Sequence, residues 1–414
     1  ESGCRLVPSE TDGQDALVQL KPVTMIAVVL LVAVAACGGS DDGEATDATT
    51  AATVESTPAT TTPTATTEPP ATTETTETPE TPETTDAPEV TAAPAEAGEW
   101  LSIPADDCEC SDGSPFELWQ RPADPTKVVL FLEGGGACFS AGTCAPDSPV
   151  FTKNLELGEE PRSSGIFDSG NPENPFADYS IVYVPYCTGD VHLGDRVNEY
   201  TDSLTISHTG FDNASKGLDT VVADYPEIEQ LVVAGSSAGS VPAPAFAGLA
   251  ADALPDAEIL AFGDASGAYP DVPELNAQIG AEWGVLANVP DWPVNEGLTA
   301  EEFSFPGLYV QAGTQHPDIT FARFDNAFDG VQTFFSGLLG VDASDLLGMI
   351  DATEAQIETA GVPLASYIAP GDDHTILGSD DLYVLEVEGV RFVDFLSTLV
   401  DGDVPDDVRC TVCS

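Results

Sequence analysis

The sequence predicts an α/β fold with a central, mostly parallel sheet covered by helices on both faces. Short runs apolar along their whole length recur at 128–132 (VVLFL), 180–184 (SIVYV), 231–234 (LVVA), 258–262 (EILAF), 307–311 (GLYVQ) and 364–369 (LASYIA). Strands without polar alternation are buried on both faces, as in a parallel sheet. Between them lie segments of helical character at 217–225, 238–252 and 321–335, with a closing helix expected at 390–399. That alternation calls for crossover connections, and residues 100–414 suit one core of this kind.

The N-terminal quarter reads differently. Residues 38–99 are almost entirely Thr, Ala, Pro, Glu, Asp, Gly and Ser, a composition that buries too little apolar surface to offset chain entropy. An extended, disordered stalk is expected there. Residues 26–36 (IAVVLLVAVAA) form an apolar run with the length of a signal-peptide core, short for a bilayer span. Val34-Ala35-Ala36-Cys37 is similar to a bacterial lipobox, which makes Cys37 the expected site of a lipid anchor to a membrane. Ordinary secretion with cleavage near Ala36 is the alternative, and both place the rest of the chain outside the cytoplasm. Residues 1–24 precede Met25 and are expected to be an over-extended reading frame, so 1–37 is set apart from the fold.

Eleven basic residues stand against 71 acidic ones, a formal net charge of -60, of which the stalk carries a minority. A field of that sign repels polyanions, so nucleic acid is not an expected partner, and habitat and solubility account for the charge as well as any substrate does. Seven cysteines follow the stalk: Cys108, Cys110, Cys138, Cys144, Cys187, Cys410 and Cys413. Outside the cytoplasm they are expected to pair. Spacing proposes only Cys138 with Cys144, and the odd number leaves one over unless the CTVC terminus pairs in a way that spacing does not specify. A metal site is disfavoured, because no His or second CxxC stands at zinc-ligand spacing, and no cofactor is implied.

The run at 231–234 leads into Gly235-Ser236-Ser237-Ala238-Gly239 and then an Ala-rich helical segment. This is Gly-x-Ser-x-Gly between strand and helix, where a nucleophilic serine sits on a sharp turn whose flanking positions tolerate no side chain. Ser237 fits that pattern better than Ser236. A serine needs a base, and the chain has four histidines. His374, in the loop Pro370-Gly371-Asp372-Asp373-His374-Thr375 past the last strand, agrees with the order Ser, acid, His of an α/β-hydrolase. His192 and His208 break that order, and His316 competes because it follows the expected strand 307–311. For the acid, Asp318, Asp325, Asp329, Asp372 and Asp373 all remain open. Glu133-Gly134-Gly135-Gly136-Ala137-Cys138-Phe139 follows an early strand, as a glycine run that presents backbone N–H groups to an oxyanion would. A phosphate loop would need a Gly-Lys-Ser/Thr end that is missing.

LFLEGGGACF with Cys144 behind it, Val184-Pro185-Tyr186-Cys187 with Gly189-Asp190, GSSAG, NAFDGVQ and the DDHT loop occur in that order. Together they resemble the pectin acetylesterase and Notum family of carboxylesterases, as a bacterial member, over about 110–375. The resemblance implies an α/β-hydrolase-like fold and a secreted serine esterase. Its triad would be Ser237, Asp329 and His374, and its oxyanion hole Gly135, Gly136 and Ala238. Disulfides Cys138–Cys144 and Cys110–Cys187 are implied as well, as is an acyl ester substrate, an acetylated polysaccharide above all. Two departures stand out: relatives carry an aromatic residue where this chain has Gly136 or Ala137, and Ser240 replaces a second glycine after the elbow. The acyl group therefore does not transfer from any relative, and pectin sits poorly with an acidic surface. Asp190 and His192 are expected to brace the site through hydrogen bonds. Two alternatives stay open, a deacylase of longer-chain esters and a cell-surface binding module on a decayed hydrolase fold.

Overall fold

The computed structural model describes residues 98–413. Cys37, the apolar run and the stalk up to 97 lie outside the described residues. The chain begins with an antiparallel pair, β1 (Leu101–Glu109) and β2 (Pro115–Arg121), followed by β3 (Asp124–Leu132) and β4 (Tyr179–Val184). A small hairpin of β5 (Arg196–Thr201) and β6 (Leu204–His208) precedes α1 (Gly210–Asp224). Then come β7 (Gln230–Ser236), α2 (Ala243–Ala253), β8 (Glu258–Asp264), α3 (Pro273–Trp283), α4 (Phe305–Gln315) and β9 (Thr320–Asn326). The chain closes with α5 (Gly330–Leu338), α6 (Leu346–Thr359), β10 (Ala365–Ala369), the two-residue strands β11 (Glu386–Val387) and β12 (Val390–Arg391), α7 (Phe392–Val400) and β13 (Val408–Arg409).

The main sheet has nine strands in the order β1-β2-β4-β3-β7-β8-β9-β10-β13. β2 runs antiparallel to β1 and β4, and every pair from β4 onward is parallel. With the β5–β6 hairpin set aside, this is the strand order of an α/β-hydrolase, and the fold is of that type. Alternation along the strands supplies two cores. Val129, Phe131, Val232, Ala234, Leu260 and Phe262 face one side, where α7 and the start of α6 cover them. Val128, Leu130, Leu231, Val233, Ile259 and Ala261 face the other, under α1, α2 and α4. Parallel registers pair Leu132 with Gly235, Ser236 with Asp264 and Asn326 with Ala369, so these strands end together at one edge. A third apolar cluster, with Phe139, Tyr186, Ile279 and Trp283, is built from the segments that follow those ends.

Two expected elements change type. The strand at 307–311 is helical, inside α4: Ser304 Oγ accepts from Gly307 N, Pro306 occupies the first turn, and Leu308, Tyr309 and Ala312 are buried at helical spacing. The helix at 321–335 divides into β9 and α5. Arg323 and Asp325 disguised β9, because they are buried on one strand face as an ion pair with Nε and Oδ2 2.9 Å apart and broke the apolar run that marks a central strand. The expected helix 238–252 begins as a 3-10 turn (Ser237–Gly239) and becomes α2 only after Pro242, while 390–399 starts with strand β12 before α7.

Candidate active site

At the end of β7 the chain turns sharply through Ser237, a non-glycine residue at φ +55°. A side chain on Gly235 would overlap the carbonyl oxygen of Gly239, and one on Gly239 would overlap that of Leu132. The two glycines therefore permit the turn, which holds Ser237 in a conformation that L residues avoid. Ser236 is extended, at φ -112° and ψ 141°, and its Oγ donates to Asp264 Oδ2 at 2.7 Å. The two serines thus have separate partners: both border the cleft, and of the two Ser237 alone also lines the apolar pocket at the strand ends.

His374 lies in the loop after β10, mostly buried, with Nδ1 2.7 Å from Asp329 Oδ2. A carboxylate only accepts, so Nδ1 carries the proton and Nε2 the lone pair. Nε2 makes no hydrogen bond among the described residues, although His374 and Ser237 line the same cleft. Asp329 is fully buried and caps α5, its Oδ1 accepting from Val331 N (2.8 Å) and Gln332 N (2.9 Å). Gln332 Nε2 donates to Asp329 Oδ2 at 3.2 Å and to Asp325 Oδ1 at 2.9 Å. The other carboxylates are placed elsewhere. Asp325 is committed to Arg323, Gly267 N and Gln332, while Asp318, Asp372 and Asp373 are exposed. The carbonyls of Asp372 and Asp373 tie the histidine loop to Gly330 N and Asn326 Nδ2.

His316 follows a helix and precedes β9, at the opposite end of the sheet, and its Nε2 lies 2.9 Å from Asp252 Oδ1. His192 Nε2 donates to the Glu133 carbonyl (2.9 Å) beneath the glycine run, and Asp190 accepts from Thr188 Oγ1, His192 N and Gly210 N. Burial pushes His192 down to about 4 and Asp190 up to about 6. His208, also pushed by burial down to about 4, is held between Thr188 O and Tyr200 OH.

The glycine run packs onto the elbow. A side chain on Gly134 would overlap the Ser236 carbonyl, and one on Gly136, at φ +81°, would overlap that of Val150. Gly135 presses against Tyr186 and Thr152 and accepts from Thr152 N through its carbonyl. Gly136 and Ser237 stand between two spaces. One is an apolar pocket of about 440 Å³ lined by Ala137, Phe139, Ala238, Ile279, Trp283 and Phe305. The other is an open cleft of about 1200 Å³ with Glu133, Arg162, Tyr183 and His374 in its wall. Burial pushes the Glu133 carboxyl up and the Tyr183 phenol well up. Disulfides Cys138–Cys144 and Cys110–Cys187 pin the segments carrying the glycine run and β4. The C-terminal CTVC closes as Cys410–Cys413, and Cys108 Sγ lies 4.0 Å from the Asp212 carbonyl. The Cys138, Cys144 and His208 sulfur and nitrogen atoms cluster, but the two sulfurs are spent in a disulfide and are no metal ligands.

Residues 100–284 match the family model described as Pectinacetylesterase. Over these residues the chain is similar to the pectin acetylesterase and Notum family. A flatworm (Schmidtea mediterranea) palmitoleoyl-protein carboxylesterase NOTUM is 32% identical over 151 residues, which cover 32% of this chain and 26% of that one. The human palmitoleoyl-protein carboxylesterase NOTUM is 30% identical over 141 residues, 31% of this chain and 27% of its own. A zebrafish (Danio rerio) relative described as inactive palmitoleoyl-protein carboxylesterase notum1b is 31% identical over 90 residues, 20% of this chain and 65% of its own. The chain thus spans about a quarter of the length of the first two relatives. The family match includes the glycine run and Ser237, while Asp329 and His374 lie beyond it, His374 bordering the same cleft as Ser237. Sequence reasoning missed Gln332 and Asp264, although a carboxylate at the carboxyl end of the run EILAF was a signal in a fold that binds ligands there.

Proposed function

We propose that this chain is a serine carboxylesterase that transfers an acyl group to water. Ser237 Oγ attacks the ester carbonyl while His374 Nε2 takes its proton, and Asp329 stabilises the resulting imidazolium. The N–H groups of Gly135, Gly136 and Ala238 receive the oxyanion. Collapse breaks the bond to the alcohol, which leaves with the proton from His374. Water, deprotonated by the same imidazole, then attacks the acyl-serine and releases the carboxylic acid. The observation that carries this reading is the strained Ser237 opening on the same cleft as a histidine already oriented by a buried carboxylate.

The two spaces divide the substrate between them. The apolar pocket receives a short acyl group, acetyl foremost, and the cleft lined by Glu133, Tyr183 and Arg162 receives a hydroxyl-rich alcohol such as a polysaccharide. A second reading, a longer acyl chain, draws support from the pocket's apolar lining and from the lipid named in the relatives' descriptions. Nitrophenyl esters from acetyl to long chains separate the two: turnover highest for acetyl supports the first, and turnover rising with chain length the second. The relative described as inactive keeps a non-catalytic binding module in view. Labelling by a fluorophosphonate that is lost in Ser237→Ala supports the enzyme, and no labelling supports the binding module. Three disulfides favour work outside the cytoplasm. We extend that to a lipid anchor at Cys37, tested by release of the protein from membranes in Cys37→Ser.

A further inference from the structure

Asp264 ends β8 directly beside Ser236 in the parallel register, and its side chain is fully buried. Its Oδ2 accepts from Ser236 Oγ at 2.7 Å and from Leu377 N at 3.0 Å, and Ile376 N stands 3.0 Å from both carboxylate oxygens. One carboxylate thus joins the residue before Ser237 to the two residues that follow His374-Thr375. The backbone shows why such a joint is needed. Ser237 (φ +55°), Ala265 (φ +69°) and Thr375 (φ +63°) are all non-glycine residues in the left-handed region, and each adjoins a member of the Ser236–Asp264–Ile376 cluster. Three unfavourable turns converge on one acceptor, and such conformations persist only where surrounding bonds over-determine them. An amide could not replace it, because its NH₂ would face N–H and O–H donors. Within the cluster Asp264 meets no Lys or Arg, and His374 is the group whose positive charge it would feel. Burial holds the carboxyl up at about 6, so it is an anion over the neutral range.

We propose that Asp264 is a positioning residue for acyl transfer, the clamp that sets Ser237 Oγ and His374 Nε2 at reacting distance and supports the imidazolium from beneath its loop. This rests on the serine-esterase reading. The other titratable or charged groups near His374 are Asp329 at Nδ1, Glu133, Arg162 and Tyr183 across the cleft, and Asp372 and Asp373 on its own loop.

The test measures kcat, KM and pH profiles on a soluble nitrophenyl ester for the full chain and three variants. Asp264→Asn is expected to lose at least tenfold in kcat with KM within about twofold, and to shift the acid limb of its kcat profile to lower pH. A loss of acid limb shift and of kcat effect together, in a folded Asp264→Asn, overturns the proposal. Ser236→Ala removes one bond without touching the charge, so a kcat loss of about threefold with an unmoved acid limb is expected. Should Asp264→Asn fail to fold, a wild-type kcat in Ser236→Ala overturns the clamp. Ser237→Ala separates the two levels: activity that survives in it brings down the esterase reading and the clamp together. A dead Ser237→Ala beside unaffected Asp264 and Ser236 variants removes the clamp alone.

Discussion

Residues 100–284 and 285–413 build the same site by different means. The first half sets its part through backbone: the elbow between Gly235 and Gly239, and the glycine run whose positions would clash with Ser236, Tyr186 or Val150 if they bore side chains. The second half sets its part through side-chain partnerships, with His374 on Asp329, Asp329 on Gln332, and Gln332 on Asp325. Close backbone approach leaves a mark in sequence, because only glycine satisfies it. A partnership between side chains 45 residues apart leaves none, since any carboxylate of the right reach would serve.

If that division holds, disturbing the partnerships should damage chemistry more than fold. The largest effect is expected for Asp329→Asn, which keeps the cap on α5 through one oxygen but places an amide against His374 Nδ1 and favours the wrong tautomer. A fall in kcat of roughly 10³–10⁴ is expected, read from steady-state kinetics, with thermal stability changed far less. Gln332→Leu comes next. It deprives Asp325 and Asp329 of a shared donor and leaves Ala268 N, now 2.8 Å from Gln332 Oε1, without its acceptor. Denaturant titration should show a loss of about 1–3 kcal/mol together with a lower kcat. A stability loss without any kinetic effect would show that the chain of partners stops short of the site.

The brace under the glycine run gives a smaller, pH-dependent effect. His192 is held neutral and pushed down to about 4, below its ordinary value, so it contributes stability that is present above about pH 6.5 and lost as pH falls toward 4. Asp190 and Asp264, pushed up to about 6, act in the opposite sense, their contribution fading as pH rises through 6. Replacing His192 with Gln removes only the first. Thermal melts of His192→Gln should therefore lose less stability than wild type on acidification from pH 6.5 to 4, by up to about 1.4 kcal/mol per pH unit. An unchanged slope would mean that the imidazole is not held neutral. The smallest effect is expected at His316, which sits at the far end of the sheet against Asp252: His316→Ala should retain wild-type kcat.

The same contrast marks what the sequence disclosed. Buried parallel strands were legible where every residue is apolar, as in VVLFL and LVVA. β9 was not, because an internal Arg323–Asp325 pair satisfies two charges inside the sheet and mimics an amphipathic helix. The misread strand at 307–311 fell to a capping signal, Ser304 with Pro306, that outweighs a short apolar run. That error had a consequence at the site, since it gave His316 a strand to follow and kept it in competition with His374. The choice of Asp329 came from a resemblance and not from spacing. In the structure Asp329 is a fully buried carboxylate that caps α5 and lies 2.7 Å from His374 Nδ1. Asp264 and Gln332 went unseen because each serves a segment distant in sequence.

The central claim is that Ser237 is a nucleophile activated by His374, and the most direct measurement is stoichiometric labelling with a fluorophosphonate, followed by peptide mass spectrometry. The account predicts one covalent adduct, on Ser237, formed far more slowly in His374→Ala and absent in Ser237→Ala. An adduct on another residue, or labelling of Ser237 at an unchanged rate without the imidazole, would contradict it.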